Sequence, residues 1–449
     1  MICDTDSMKI SSAPRELGAR AFVRETAVAT FWGAAGRVGG MLVPFCLAAW
    51  YGVSRDTDAL FFSFGLLVAV ANVFASGLEA AIVPFAVGAR AGSARGGARF
   101  AGRLFVVVLL GLAVAAAVAG LAAAWGLPRL TRMDPEGARL AARLFALGLP
   151  VIAVWGATSV LVAVLNSAHR YALAAASPVV RAACVIGAAW LGRATGDVRA
   201  VVVGLVVGEA LRAACLAVQA RRLGLLEIPR GRLLDPAVRR ALQAGGWLVL
   251  GLGILTVNFI VDRAMASALG VGAISVLDYA EKAYAVPVAV LVFGFLNVVL
   301  SHWSNTLETP AAGKVRGQVV RTVAAVGLAA AVAGALGWFL REPLIGLAFA
   351  HGAFPAAAVA NTSRVFGVYC LGLAPFLAGL AFTRYYMARR RTDLLAALAV
   401  VQTTVHVILN IAWIPVWGLA GIAASSGVAY AIVTVLLWAH FRAVEARAA

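Results

Sequence analysis

The feature that most constrains this chain is the recurrence of apolar runs of 20 or more residues along almost its whole length. About 20 predominantly apolar residues, wound as an α-helix, cross the hydrocarbon core of a bilayer. Lipid offers no partners to backbone N–H and C=O groups, so a run that crosses must satisfy them within its own helix. Only 13% of the residues are charged and 62% are hydrophobic, whereas soluble domains average about 25% charged. A large soluble helical core is therefore excluded, and the chain reads as an all-α polytopic membrane protein.

Spans are expected near residues 28–51, 58–87, 101–125, 141–165, 171–192 and 198–220, then near 241–264, 274–300, 319–340, 359–382, 394–415 and 418–441. Pro44, Pro84, Pro150, Pro178, Pro287 and Pro375 fall in or near these spans, where they bend helices rather than end them. The longest polar interruption, residues 221–240, separates six spans from six. Its leucines interleave with arginines, as in a segment lying along a membrane surface. The expected domains are thus a tail at 1–27, an N-lobe at 28–220, an amphipathic interlobe segment at 221–240, a C-lobe at 241–441 and a tail at 442–449. Two halves with equal, even span numbers imply parallel repeats related by an axis along the membrane normal. Lys and Arg concentrate in the termini and in alternate loops, which by the positive-inside rule puts both termini in the cytoplasm.

Charges within the spans are the candidates for function. Arg37 lies well inside the first apolar arm and Glu79 inside the second, with Asp58 in the turn between them. A charge at such depth is costly unless it faces a hydrated, protein-lined interior. The eighth span carries Asp278, Glu281 and Lys282 in VLDYAEKAYAVP. Their spacings of three and four residues allow one helical face, where an extra carboxylate could take up H+ or Na+. Asp262 closes the seventh span, and Glu209 shares a face of the sixth with Arg212. Arg181 and Arg364, near span ends, can snorkel toward the surface.

Several function classes are excluded by what the sequence lacks. The five cysteines form no CxxC pair and the five histidines are scattered, so neither a disulfide framework nor a metal centre is expected. No Walker loop is present, and ATP is not expected to drive the process directly. No paired catalytic acid and base stands out, so no enzyme is expected. The net charge of +18 resides mostly between apolar spans, which suits anionic lipid headgroups or a phosphorylated substrate rather than nucleic acid.

Several stretches carry a resemblance. They are Gly36-Arg37-Val38, Thr57-Asp58-Ala59 with Phe61-Phe62, Gly77 through Val83-Pro84, Leu165-Asn166-Ser167 with Arg170-Tyr171 and Pro178, Asp278 through Pro287, and Phe349-Ala-His-Gly352-Ala-Phe354. In order and spacing the chain resembles the MurJ/MviN lipid II flippases of the multidrug/oligosaccharidyl-lipid/polysaccharide exporter superfamily, in a divergent form shortened to about twelve spans. The resemblance implies two six-helix lobes in a V around a cationic cavity, in the bacterial inner membrane. It implies a polyprenyl-diphosphate-linked saccharide turned from inner to outer leaflet by alternating access. Arg37, Lys282, Arg181 and Arg364 are then the candidate substrate-binding residues. Asp58, Glu79, Asp262, Asp278 and Glu281 are the candidate gating or coupling residues, with H+ or Na+ in place of any bound cofactor. Val43 and Pro44, Ala71 and Asn72, Ser76 and Ala285 stand where the family carries charges. The expected partners are the lipid-linked glycan, bacterial membrane lipids and envelope or glycan-assembly proteins. The alternatives are a cation-coupled drug or metabolite exporter of the same superfamily, and a membrane scaffold in envelope or polysaccharide assembly.

Overall fold

The computed structural model describes residues 19–291, 315–389 and 391–446, together with Leu296, Val299, Trp303 and Thr306. The side chains of residues 19–30 and of some others within helices, Arg37 among them, lie outside the described set. So do the start of the expected N-terminal tail, the last residues of the C-terminal one and most of the latter part of the expected span 274–300.

All regular structure among the described residues is helical. The first half holds α1 (Ala19–Tyr51), α2 (Arg55–Gly92), α3 (Ala94–Leu130), α4 (Pro135–Gly148), α5 (Pro150–Ser167), α6 (Tyr171–Gly192) and α7 (Arg199–Arg222). The second holds α8 (Pro236–Ala266), α9 (Ala273–Leu291), α10 (Val315–Phe339), α11 (Arg341–Phe349), α12 (Ala356–Leu371), α13 (Leu373–Ala388), α14 (Thr392–Trp417) and α15 (Leu419–Ala446). Among the described residues nine helical segments are long and apolar enough to cross a membrane, or ten if α12 and α13, bent by 45°, make one crossing. The α4–α5 break falls at Leu149–Pro150, yet Pro135–Ser167 still qualifies as one such segment. A proline at the first helical position surrenders only an N–H that would be unbonded anyway.

Local chemistry sets the helix ends. Ser54 caps α2 in a reciprocal box with Thr57, satisfying two otherwise orphaned groups. Asp134 and Asp235 cap α4 and α8, each followed by proline at the start of the helix. Residues 223–235 contain no helix. They are tied down where the Glu227 amide donates to the Ala98 carbonyl (3.1 Å) and Arg103 pairs with Asp235 (2.6 Å).

Within the first half α1 packs on α6, α6 on α7, and α2 on α5; in the second, α10 packs on α13 and α14 on α15. Two of the contacts between the halves frame the site. α8 lies along α2, where Gly65 leaves room for Phe259 and Gly77 for Val249. A Cβ at Gly77 would come within 2.9 Å of the Val249 nitrogen, so glycine is what permits this approach. The second junction is at the α1–α2 turn. There a core of Leu47, Phe61, Ile274, Tyr279, Phe349 and Phe354 joins residues from both halves.

Candidate functional site

A cavity of about 380 Å³ opens between the halves, walled by α1, α2, α5, α6, α7, α8 and α9. Most of its lining is apolar, including Val43, Leu47, Phe64, Val68 and Phe259. The polar groups among its described lining residues are Asn72, Arg181, Asp278 and Lys282. Val43, Pro44 and Asn72 thus stand on the cavity wall.

Arg181 comes from α6, and its guanidinium lies 3.8 Å above the Trp155 ring and 3.3 Å from Glu209 Oε2. Lys282 comes from α9 in the opposite half, is exposed, and makes no ion pair among the described residues. Its expected companions are engaged elsewhere. Asp278 Oδ1 and Glu281 Oε2 each accept from Arg263 Nη2 at 2.7 Å, and Tyr369 Oη donates to Glu281 Oε1 at 3.2 Å. Arg263 is 1% exposed and stacks on Phe259 at 3.4 Å. Without a cation these two carboxylates would be strongly disfavoured at such depth. Arg263 thus holds both carboxylates but supplies one positive charge to their two; Lys282, four residues after Asp278 on the same helix, supplies the second and faces the cavity.

Above this cavity the α1–α2 turn is latched to the second half. Asp58, 5% exposed, accepts from the Gly272 amide, the Ser275 amide (2.8 Å) and the Ser275 hydroxyl (2.7 Å). A carboxylate from one half thus caps the first turn of α9 in the other, where unpaired N–H groups and the helix dipole favour negative charge. The Ser275 hydroxyl also reaches Thr57 Oγ1 (2.9 Å), Tyr279 Oη donates to the Gly52 carbonyl (3.0 Å), and the Ala353 amide donates to the Ala49 carbonyl (2.8 Å). Gly52 and Gly352 both have φ +62°, and a Cβ on either would strike backbone across this junction.

The remaining candidates separate from the cavity. Asp262 is buried between α8 and α14, receiving Asn410 Nδ2 at 2.8 Å and facing His406 Nε2 at 2.7 Å. Glu79 accepts from Asn166 Nδ2 at 3.0 Å within the first half. Arg364 is exposed on α12 and is not among the cavity-lining residues. Arg37 belongs to α1, its neighbour Gly36 lines the cavity, and its side chain lies outside the described residues. Among the described residues no group of His, Cys, Asp and Glu could hold a metal ion.

Residues 47–444 match the sequence profile described as the lipid II flippase MurJ. The chain belongs to the MurJ family. It is 26% identical over 410 residues to a probable lipid II flippase MurJ of Rhizobium tropici, covering 88% of this chain and 76% of that one. The corresponding protein of Rhizobium meliloti is 27% identical over 416 residues, covering 90% and 77%. In fold, the chain is similar to a lipid II flippase MurJ in an inward closed conformation, with a TM-score of 0.78 at 20% identity over 94% of this chain and 87% of that one. An inward-facing multidrug-resistance MATE transporter of the MOP superfamily follows at 0.77, with 14% identity over 91% and 94%. MurJ membership makes the chain a relative of transporters, not of enzymes.

Of the residues singled out in the sequence, Arg181, Lys282 and Asp278 line the cavity and Asp58 lies at the junction, while the pairing of Arg263 went unread. That residue is a span-closing neighbour of Asp262 in sequence, and its partners lie beyond the Gly270–Gly272 turn. The three- and four-residue spacings of Asp278, Glu281 and Lys282 pointed to contacts along one helix, whereas both carboxylates pair with Arg263 of the preceding helix.

Proposed function

We propose that this MurJ-family chain carries a polyprenyl-diphosphate-linked saccharide from the inner to the outer leaflet of the bacterial inner membrane by alternating access. On this reading α1–α7 form one lobe and α8–α15 the other, in a V whose apex is the Asp58 latch. The helices α8 and α9 complete twelve spans, and both termini lie in the cytoplasm. The cavity would then face inward, with its outer end shut.

The observation that carries the reading is Lys282, a cation without an ion pair among the described residues, in a mostly apolar cavity it shares with Arg181 from the other half. Fixed cations in a low-dielectric wall suit a diphosphate, since charge-assisted contacts there are stronger than in water. Apolar walls admit the first isoprene units, while the rest of the tail can stay in lipid. The α2–α8 seam is packed, so we assign tail passage to the opposite side, between α1 and α9. The loss of family charges at Val43, Pro44 and Asn72 favours a lipid-linked saccharide other than lipid II. Asp262, which has no arginine partner among the described residues, is the carboxylate we assign to H+ or Na+ coupling. The exposed lysine speaks against a scaffold, for which a neutralised interface would suffice.

Proteoliposomes loaded with polyprenyl-diphosphate sugars of increasing headgroup size provide the test. Enzymatic capture at the far leaflet should show protein-dependent movement of at least one such lipid. Absence of movement across the series, with the protein correctly inserted, would overturn the proposal.

A further inference from the structure

Arg181 is not held by Glu209 alone. Glu209 is fully buried, and its carboxylate is shared with a second arginine that does not line the cavity. Arg212 Nη1 donates to Glu209 Oε1 and Oε2 at 3.0 and 3.3 Å, while Arg212 Nε donates to Ser177 Oγ at 2.9 Å. Arg181 reaches Glu209 only through one contact of 3.3 Å. The two helices are close because Gly208 lies against the Arg181 backbone, where a Cβ would come within 3.0 Å of Arg181 Cα. Glu79, the other carboxylate within electrostatic reach of Arg212, bonds to Asn166 and makes no ion pair with it.

We infer that Glu209 and Arg212 are positioning residues that hold Arg181 in reserve and release it to a phosphate-bearing headgroup entering the cavity. This inference rests on the phosphate reading of the cavity. A buried carboxylate stripped of its only cation is strongly destabilised, so an Arg181 paired exclusively with Glu209 would be unavailable to a ligand. Arg212 removes that obstacle, because Glu209 keeps two contacts when Arg181 turns to the anion. On departure of the anion Glu209 takes Arg181 back, which favours release. Trp155 holds the guanidinium plane at the wall in both arrangements.

The assignment predicts effects of opposite sign from two residues outside the cavity. Equilibrium binding of farnesyl diphosphate is measured on the full chain in nanodiscs, beside proteoliposome flipping. Arg212→Met should weaken binding about tenfold, equivalent to 1.4 kcal/mol. Glu209→Gln should tighten it by a similar factor while slowing flipping, since release is impaired. In the Glu209→Gln background Arg212→Met should have no further effect, because no carboxylate remains to compete. Loss of binding in both single variants, or a persistent Arg212→Met loss in the double variant, would show a merely structural role and overturn the inference. If Arg212→Met alone does not fold, the comparison of Glu209→Gln with the double variant still decides. Arg181→Ala is the separate control: binding unchanged there would overturn the cavity reading itself.

Discussion

Asp58→Ala should open the end of the molecule at the α1–α2 turn. The carboxylate accepts three hydrogen bonds across the junction, two from backbone amides of Gly272 and Ser275 and one from the Ser275 hydroxyl. A hydrogen bond to a charged group contributes about 1.5–3 kcal/mol, and a buried donor left without a partner costs about 1–3 kcal/mol. Loss of a capping aspartate from a helix start costs about 0.5–2 kcal/mol on its own. These bonds exist only while the halves touch, so their loss falls on the closed state. Contributions of this kind are not additive, and we take about 3 kcal/mol for the whole latch, which shifts the ratio of closed to open molecules roughly 100-fold. Spin labels at Ala194→Cys and Ala357→Cys, exposed positions in the two halves, report the separation in an otherwise cysteine-free background. Pulsed dipolar spectroscopy should show one short distance in the parent and a dominant longer one in Asp58→Ala, with Asp58→Asn between them. Superimposable distributions in all three would refute the latch.

Gly52→Ala should open the same junction, because φ is +62° and a Cβ there meets the Ala353 carbonyl; the left-handed conformation alone costs about 1–2 kcal/mol, and the same label pair reads the outcome. Arg263→Gln should prevent accumulation of folded protein, since breaking a buried ion pair costs about 3–5 kcal/mol. Adding Asp278→Asn and Glu281→Gln should restore membrane yield and melting temperature toward the parent values. Lys282→Ala should leave the melting temperature within a degree or so, as exposed substitutions usually stay within about 0.5 kcal/mol. Flipping of the preferred lipid in that variant should fall about tenfold, the loss of about 1.4 kcal/mol from one charge-assisted contact.

The helices were more legible than the contacts between them. Expected spans such as 171–192 and 198–220 correspond to α6 and α7 within a residue or two, because uninterrupted apolar length is a local property. Gly372, where α12 gives way to α13, went unread, since nothing distinguishes this glycine from many others until its neighbour is known. In the structure its α-carbon side lies against Gly427, where a Cβ would come within 2.8 Å. The deep charges were likewise visible as candidates, but their pairing was not. Intrahelical spacing placed Lys282 beside Asp278, while tertiary geometry gave Asp278 to Arg263, a partner 15 residues away. His406 and Asn410 resembled isolated polar residues until α14 set them against Asp262. Asp58 entered as a gate candidate only through the family resemblance, for the donors that bind it, Gly272 and Ser275, are more than 200 residues distant in sequence.

Thr57 Oγ1 and Ser275 Oγ lie 2.9 Å apart across the latch, close enough for a disulfide between cysteines at the two positions. Headgroup movement in proteoliposomes carrying Thr57→Cys/Ser275→Cys, measured oxidised and after reduction, tests most directly whether substrate passes by parting of the halves at this end. Transport should be abolished by oxidation and recovered on reduction. Undiminished transport in fully oxidised protein would contradict the account.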